Sequence, residues 1–103
     1  MAVLKITGEN FESIKSESKP VLIDFYADWC APCQMMSPVV EELSNERDDF
    51  ITGKVNVDEE SELAVMFGVE SIPMFAVIKG GKVTAKHVGM CRKDTLIEMI
   101  DNV

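Results

Sequence analysis

The sequence predicts an α/β fold in which helices cover both faces of a mixed sheet, and three observations carry that prediction. Short strand-like apolar runs alternate with segments of helical periodicity along most of the chain. One run, Val21–Ala27, is apolar almost throughout, the pattern of a strand buried on both faces. Gly80-Gly81 separates two further strand-like segments by two residues, the spacing of a tight hairpin.

The elements follow in order. Val3–Ile6 reads as a short strand, and Phe11 and Ile14 mark a brief helix that ends before Pro20. Val21–Ala27 holds a single acid, Asp24. A long helix from Ala31 to Arg47 places Met36, Val40 and Leu43 on one stripe, with Val39 widening it. Pro38 lacks an N–H and crowds the carbonyl of Gln34, so a kink rather than an end is expected there. Ile51–Val57 alternates as a strand, and Leu63, Met66 and Phe67 give a short helix stopped by Gly68. Met74–Lys79 and Lys82–Val88 form the hairpin, and Leu96, Met99 and Ile100 supply a closing helix. The order β-α-β-α-β-α-β-β-α combines helix-linked parallel strands with one antiparallel pair.

At 103 residues the chain has room for one domain, 1–103, and no repeat or linker divides it. Its 47% apolar and 27% charged residues are ordinary for a water-soluble protein. No apolar run approaches the ~20 residues of a membrane span. The first residues lack the basic leader and apolar stretch of a secretion signal, so a cytoplasmic location is expected. A net charge of −8 disfavours nucleic acid, whose phosphates would be repelled. Three cysteines, two of them only two residues apart, suit a reducing compartment with one reactive pair better than a secreted disulfide scaffold.

That pair carries the chemistry. Trp29-Cys30-Ala31-Pro32-Cys33 lies where the buried strand hands over to the long helix. One helical turn brings the two sulfurs within bonding reach, and unpaired N–H groups at the helix start favour a thiolate. Cys30, nearest that end, is the expected nucleophile, both exposed and of lowered pKa, and Cys33 the resolving thiol. Pro32 fits a first turn, where its missing N–H costs nothing. Cys-x-x-Cys is also half of a zinc site, and its strand-to-helix setting is what favours redox chemistry.

Asp24-Phe25-Tyr26-Ala27-Asp28-Trp29-Cys30-Ala31-Pro32-Cys33 closely resembles the active-site segment of the thioredoxin family. Further matches follow in register: Pro38, Lys54-Val55-Asn56-Val57-Asp58, Gly68-Val69, Ser71-Ile72-Pro73, Gly80-Gly81 and Val88-Gly89. The resemblance covers nearly the whole chain. It implies the thioredoxin fold, a central five-stranded mixed sheet flanked by four helices, and protein-disulfide reductase activity without a bound cofactor or metal. It also implies a redox disulfide between Cys30 and Cys33, and a cis Ile72–Pro73 bond facing that pair and shielding it from metals. Trp29, Ala31, Pro32, Ile72, Pro73, Gly89 and Met90 would dock disulfide-containing target proteins. Asp24 would lie behind Cys33 as its proton acceptor, with Lys54 nearby. A separate thioredoxin reductase would restore the dithiol, because this chain has no Gly-rich dinucleotide motif. A monomer is expected.

Three positions depart from the family pattern. Ala31 replaces the commonest Gly between the cysteines, where the dipeptide tunes redox potential. Tyr26 replaces a frequent Trp, and Met74 replaces a frequent Thr at a position expected to influence substrate preference.

Other residues have plainer readings. An acid inside an apolar strand is either a hydrogen-bonded structural group or a proton carrier, and proximity to the thiols favours the second for Asp24. Lys54 is either a solvated strand lysine or a tuning charge. His87-x3-Cys91 together with the thiol pair imitates a zinc spacing, but a dithiol locked on zinc could not cycle. His87 reads as a surface residue on an edge strand, and Cys91 as a small apolar side chain on the buried side of the last helix. The seven methionines read mostly as core filler, and Asp58-Glu59-Glu60 as negative charge feeding a helix start. Two other function classes fit the same fold. One is a docking module indifferent to its cysteines. The other is an oxidase or isomerase, whose members usually carry His between the cysteines and a secretion signal.

Overall fold

A computed structural model describes residues 3–103. Its elements are β1 (Leu4–Lys5), α1 (Phe11–Lys15), β2 (Val21–Tyr26), α2 (Ala31–Glu46), β3 (Ile51–Asn56), α3 (Ser61–Met66), β4 (Met74–Lys79), β5 (Lys82–Val88) and α4 (Lys93–Asp101). They form one sheet in the order β1-β3-β2-β4-β5. β1, β3 and β2 run parallel, and β4 and β5 antiparallel to their neighbours. This is the predicted mixed sheet, with β2 at its centre.

Alternation along β2 divides the core. Val21, Ile23 and Phe25 pack with Phe11 and Ile14 of α1 and with Leu63 and Phe67 beside α3. Leu22 packs on the other face with Met36, Val40 and Leu43 of α2 and with Leu96 and Ile100 of α4. The same period of two sends Asp24 toward α2.

Local signals shape the element ends as expected. α2 runs without interruption through Pro38. Gly80 and Gly81 both have positive φ, 62° and 78°, as a two-residue turn between right-twisted strands requires. Gly68, at φ 67°, closes α3: Val69 N–H donates to the Ala64 carbonyl at 2.9 Å and Gly68 N–H to Val65 at 3.0 Å.

The tertiary structure corrects three expectations. Only Met36 and Met74 of the six described methionines are buried, whereas Met35, Met66 and Met90 are exposed. The helical stripes are too narrow to cover Met35 and Met66. Met74 packs within the α1/α3 face of the core, so its thioether faces no partner. Cys91 precedes α4 rather than lying on it, and is half-buried against the α2/α4 core. The run Asp58-Glu59-Glu60 does lead into a helix start, with Glu60 as the N-cap residue of α3, but no side-chain hydrogen bond caps that helix. The run's three carboxylates reach separate partners instead: the Trp29 indole, Lys5 and the Gly8 backbone.

Candidate active site

The site begins where β2 ends. Cys30 is the N-cap of α2 in extended conformation, with Ala31 and Pro32 as the first two helical residues. Its sulfur accepts the Cys33 N–H at 3.2 Å, the bond an oxygen makes in the usual N-cap. No acidic residue occupies the first turn of α2, so nothing there opposes negative charge on Cys30. Cys30 and Cys33 are disulfide-bonded, with their Cα atoms 5.2 Å apart.

The expectation that Cys30 alone is exposed does not hold in this oxidised form. Cys30 is 4% and Cys33 3% exposed, because Ala27, Tyr26, Val57 and Ile72 pack around both. Position at the helix start, rather than exposure, distinguishes them.

Strand order brings the remaining residues in. Phe25 of β2 lies opposite Met74 of β4, so Pro73, one residue before Met74, arrives beside the end of β2. The Ile72–Pro73 bond is cis, and Ile72 packs against the disulfide cluster. Gly89 N–H donates to the Pro73 carbonyl at 2.7 Å, which ties the Gly89-Met90 segment to the same end of the sheet. Ala31, Pro32 and Met90 are exposed there, and Trp29 is 70% exposed. Pro73 itself is buried.

Behind the disulfide lies a cavity of about 140 Å³ lined by Asp24, Cys33, Tyr26, Gln34, Ser37 and Lys54, among others. Asp24 is 4% exposed, and its Oδ1 has no hydrogen-bond partner among the described residues. Burial pushes its pKa from 3.8 to about 7, and the opposing pull of the Lys54 charge is the smaller effect. Lys54 reaches the cavity because its Cα pairs with that of Asp24 across the parallel β2–β3 ladder. Its ammonium lies 5.3 Å from the centre of the Tyr26 ring, a cation–π contact. A carboxyl that titrates near neutral pH can take up or release a proton without a large penalty in either direction.

Among the described residues, no group of three or more His, Cys, Asp or Glu side chains is placed to hold a metal ion. No helix among the described residues is long and apolar enough to cross a membrane.

The thioredoxin family model matches residues 2–102. The chain belongs to the thioredoxin family. Thioredoxin of Bacillus subtilis is 43% identical over 102 residues, covering 98% of this chain and 97% of that one. Thioredoxin of Chlorobaculum thiosulfatiphilum is 42% identical over 97 residues, covering 92% and 90%. Among solved structures, a mutant thioredoxin from Halobacterium salinarum superposes with a TM-score of 0.89. It is 36% identical and covers 99% of this chain and 94% of its own. Family membership and the Cys30–Cys33 disulfide establish a dithiol–disulfide oxidoreductase.

Cys91 stands apart from the reacting pair. Burial pushes its thiol pKa up, and the Asp24 carboxylate adds to that, so it is a poor nucleophile near neutral pH. Cys91→Ala is expected to retain disulfide exchange, with a packing loss below about 1 kcal/mol at this half-buried site. Non-reducing gels of oxidant-treated protein check this. An intermolecular dimer that vanishes in Cys91→Ala would make it a regulatory thiol instead.

Proposed function

We propose that this chain reduces disulfides in target proteins, as a monomer with residues 1–103 working as one cytoplasmic domain, and that a separate thioredoxin reductase restores its dithiol. The observation that supports this best is a disulfide at a helix N-terminus with a cis Ile72–Pro73 bond on one side and a buried carboxyl on the other.

In this mechanism Trp29, Ala31, Pro32, Ile72, Pro73, Gly89 and Met90 receive the target. The Cys30 thiolate attacks one target sulfur, forming a mixed disulfide and expelling the other target sulfur as a thiolate. Asp24 accepts the Cys33 proton through the cavity they share. The Cys33 thiolate then attacks Cys30 sulfur, closing the internal disulfide and releasing the second target thiolate. Both target sulfurs are reduced by the two electrons that this chain gives up. Lys54 stabilises the ionised Asp24 and thereby sets the pH at which the carboxylate is available.

A measured midpoint potential tests the direction of the reaction. A value more reducing than the cytosolic thiol pool, with reduction of insulin as a probe substrate, is the expected result. A potential far more oxidising than that pool would make the chain an oxidase or isomerase. Full function after replacement of both cysteines by Ser would make it a docking module.

A further inference from the structure

Asp24 faces two cavities, and the proposed exchange uses only the one that touches Cys33. The far cavity is lined by Val3, Asp24, Ser37, Val40, Glu41 and Lys54. Its volume of about 70 Å³ exceeds the ~10–15 Å³ that one water needs, and its polar groups supply hydrogen-bond partners. Asp24, Ser37 and Lys54 line both cavities, and Asp24 Oδ1 is buried there without a hydrogen-bond partner among the described residues. On α2, Cys33, Ser37 and Glu41 follow one another at intervals of four, so they form a single row along the helix surface. That row starts at the disulfide and ends at two exposed side chains, Ser37 and Glu41.

The two cavities open in different places. Asp28, at the near one, precedes Trp29, and Gln34 Nε2–H donates to the Asp28 carbonyl at 2.8 Å. A target seated on Trp29 therefore lies over that mouth. No residue lining the far cavity belongs to the docking face or adjoins it in sequence. We infer that the far cavity is the exit for the proton Asp24 takes from Cys33, with Ser37 positioning the relay and Glu41 receiving it, and that a docked target leaves this exit open. This rests on the proposed reading of Asp24 as proton acceptor.

The titratable and charged groups around Asp24 are Cys33 and Glu41 from α2, Lys54 from β3, Tyr26 and Asp28 at the end of β2, and Cys91 before α4. Of the two side chains that line both cavities with Asp24, the Lys54 ammonium has no acceptor, so only the Ser37 hydroxyl can take one proton while giving up another. Cys33 first gives its proton to the Asp24 carboxylate and becomes a thiolate. The neutral carboxyl then passes a proton through solvent water to Ser37, which releases its own outward. Glu41 hands that proton to bulk water, and Asp24 is a carboxylate again. No other bond changes.

Ser37→Val and Ser37→Thr have the same shape and differ in the hydroxyl, so the pair separates relay from packing. In single-turnover release of reduced insulin at pH 7, quenched with acid, Ser37→Val should slow resolution about three- to ten-fold, well short of the roughly 10²–10⁴-fold of a lost acid–base group. Ser37→Thr should recover the rate. The loss in Ser37→Val should be smaller with dithiobis(nitrobenzoate), which is too small to cover the near mouth. Glu41→Gln should slow the insulin step in dilute buffer and regain it as imidazole, a free proton carrier, is added.

If Asp24→Asn slows resolution while Ser37→Val matches the wild type with insulin, the exit inference fails and Asp24 remains the acceptor. It fails equally if Ser37→Thr is as slow as Ser37→Val, if Ser37→Val slows both substrates alike, or if Glu41→Gln does not respond to imidazole. Unaltered resolution in Asp24→Asn would remove the acceptor reading and the exit with it.

Discussion

Cys33→Ser is expected to arrest exchange at a covalent complex between Cys30 and its target, whereas Cys30→Ser should form no such complex. The two sulfurs are covered almost equally in the disulfide, so the asymmetry comes from the helix. Cys30 is the N-cap, where the Cys33 N–H already points at its sulfur and no acidic side chain competes. Cys33, one turn inside, faces the cavity shared with Asp24 and is better placed to lose a proton than to meet a target. With Cys33 replaced, the mixed disulfide has no internal thiol to resolve it. Mass spectrometry of the trapped complex, and alkylation of the reduced wild-type protein near neutral pH, read the order directly. Preferential labelling of Cys33 would reverse the roles.

Asp24→Ala should slow exchange and at the same time stabilise the fold above neutral pH. In the unfolded chain the carboxyl titrates near 3.9, as free Asp does, whereas burial raises it to about 7 in the folded protein. Below pH 4 the group is protonated in both states and contributes nothing to the balance. Between pH 4 and 7 the unfolded chain releases the proton while the folded protein keeps it, so stability falls as pH rises. Above pH 7 both forms are ionised and the folded state carries the full penalty, roughly 4 kcal/mol for a displacement of this size. Removing the carboxyl removes that penalty, less the cost of a small void. Denaturant unfolding at pH 8 should therefore show Asp24→Ala more stable by about 2–4 kcal/mol, with the advantage gone at pH 4. Equal or lower stability at pH 8 would mean that the acid is satisfied by its surroundings. The kinetic counterpart is a rate of mixed-disulfide resolution that rises through pH 7 in the wild type and loses that step in Asp24→Asn.

Much of this molecule is legible in the sequence because much of it is local. The apolar run of β2, the stripe on α2 and the two glycines of the hairpin each determine a short segment by periodicity or backbone freedom. The two-residue spacing of Cys30 and Cys33 at a strand-to-helix junction places the disulfide for the same reason. The cis bond at Ile72–Pro73 is different. It came from resemblance to a family, since no periodicity distinguishes that proline from Pro20 or Pro38.

What only the tertiary structure decided depends on strand order. With β2 lying between β3 and β4, Lys54 comes abreast of Asp24 on one side, and Pro73 arrives beside the disulfide on the other. A Cβ at Gly53 would collide with the Ile6 side chain unless that side chain moved, a crowding invisible in the pattern of either segment. The burial of Met74, the exposure of Met35 and Met66, and the bond from Trp29 to Asp58 likewise follow from which surfaces the packed helices leave uncovered. Residues 29 positions apart meet only because the ends of β2 and β3 lie side by side in a parallel pair, where Tyr26 faces Asn56. A parallel ladder is a long-range contact, and its register is set by how both faces pack rather than by either strand alone.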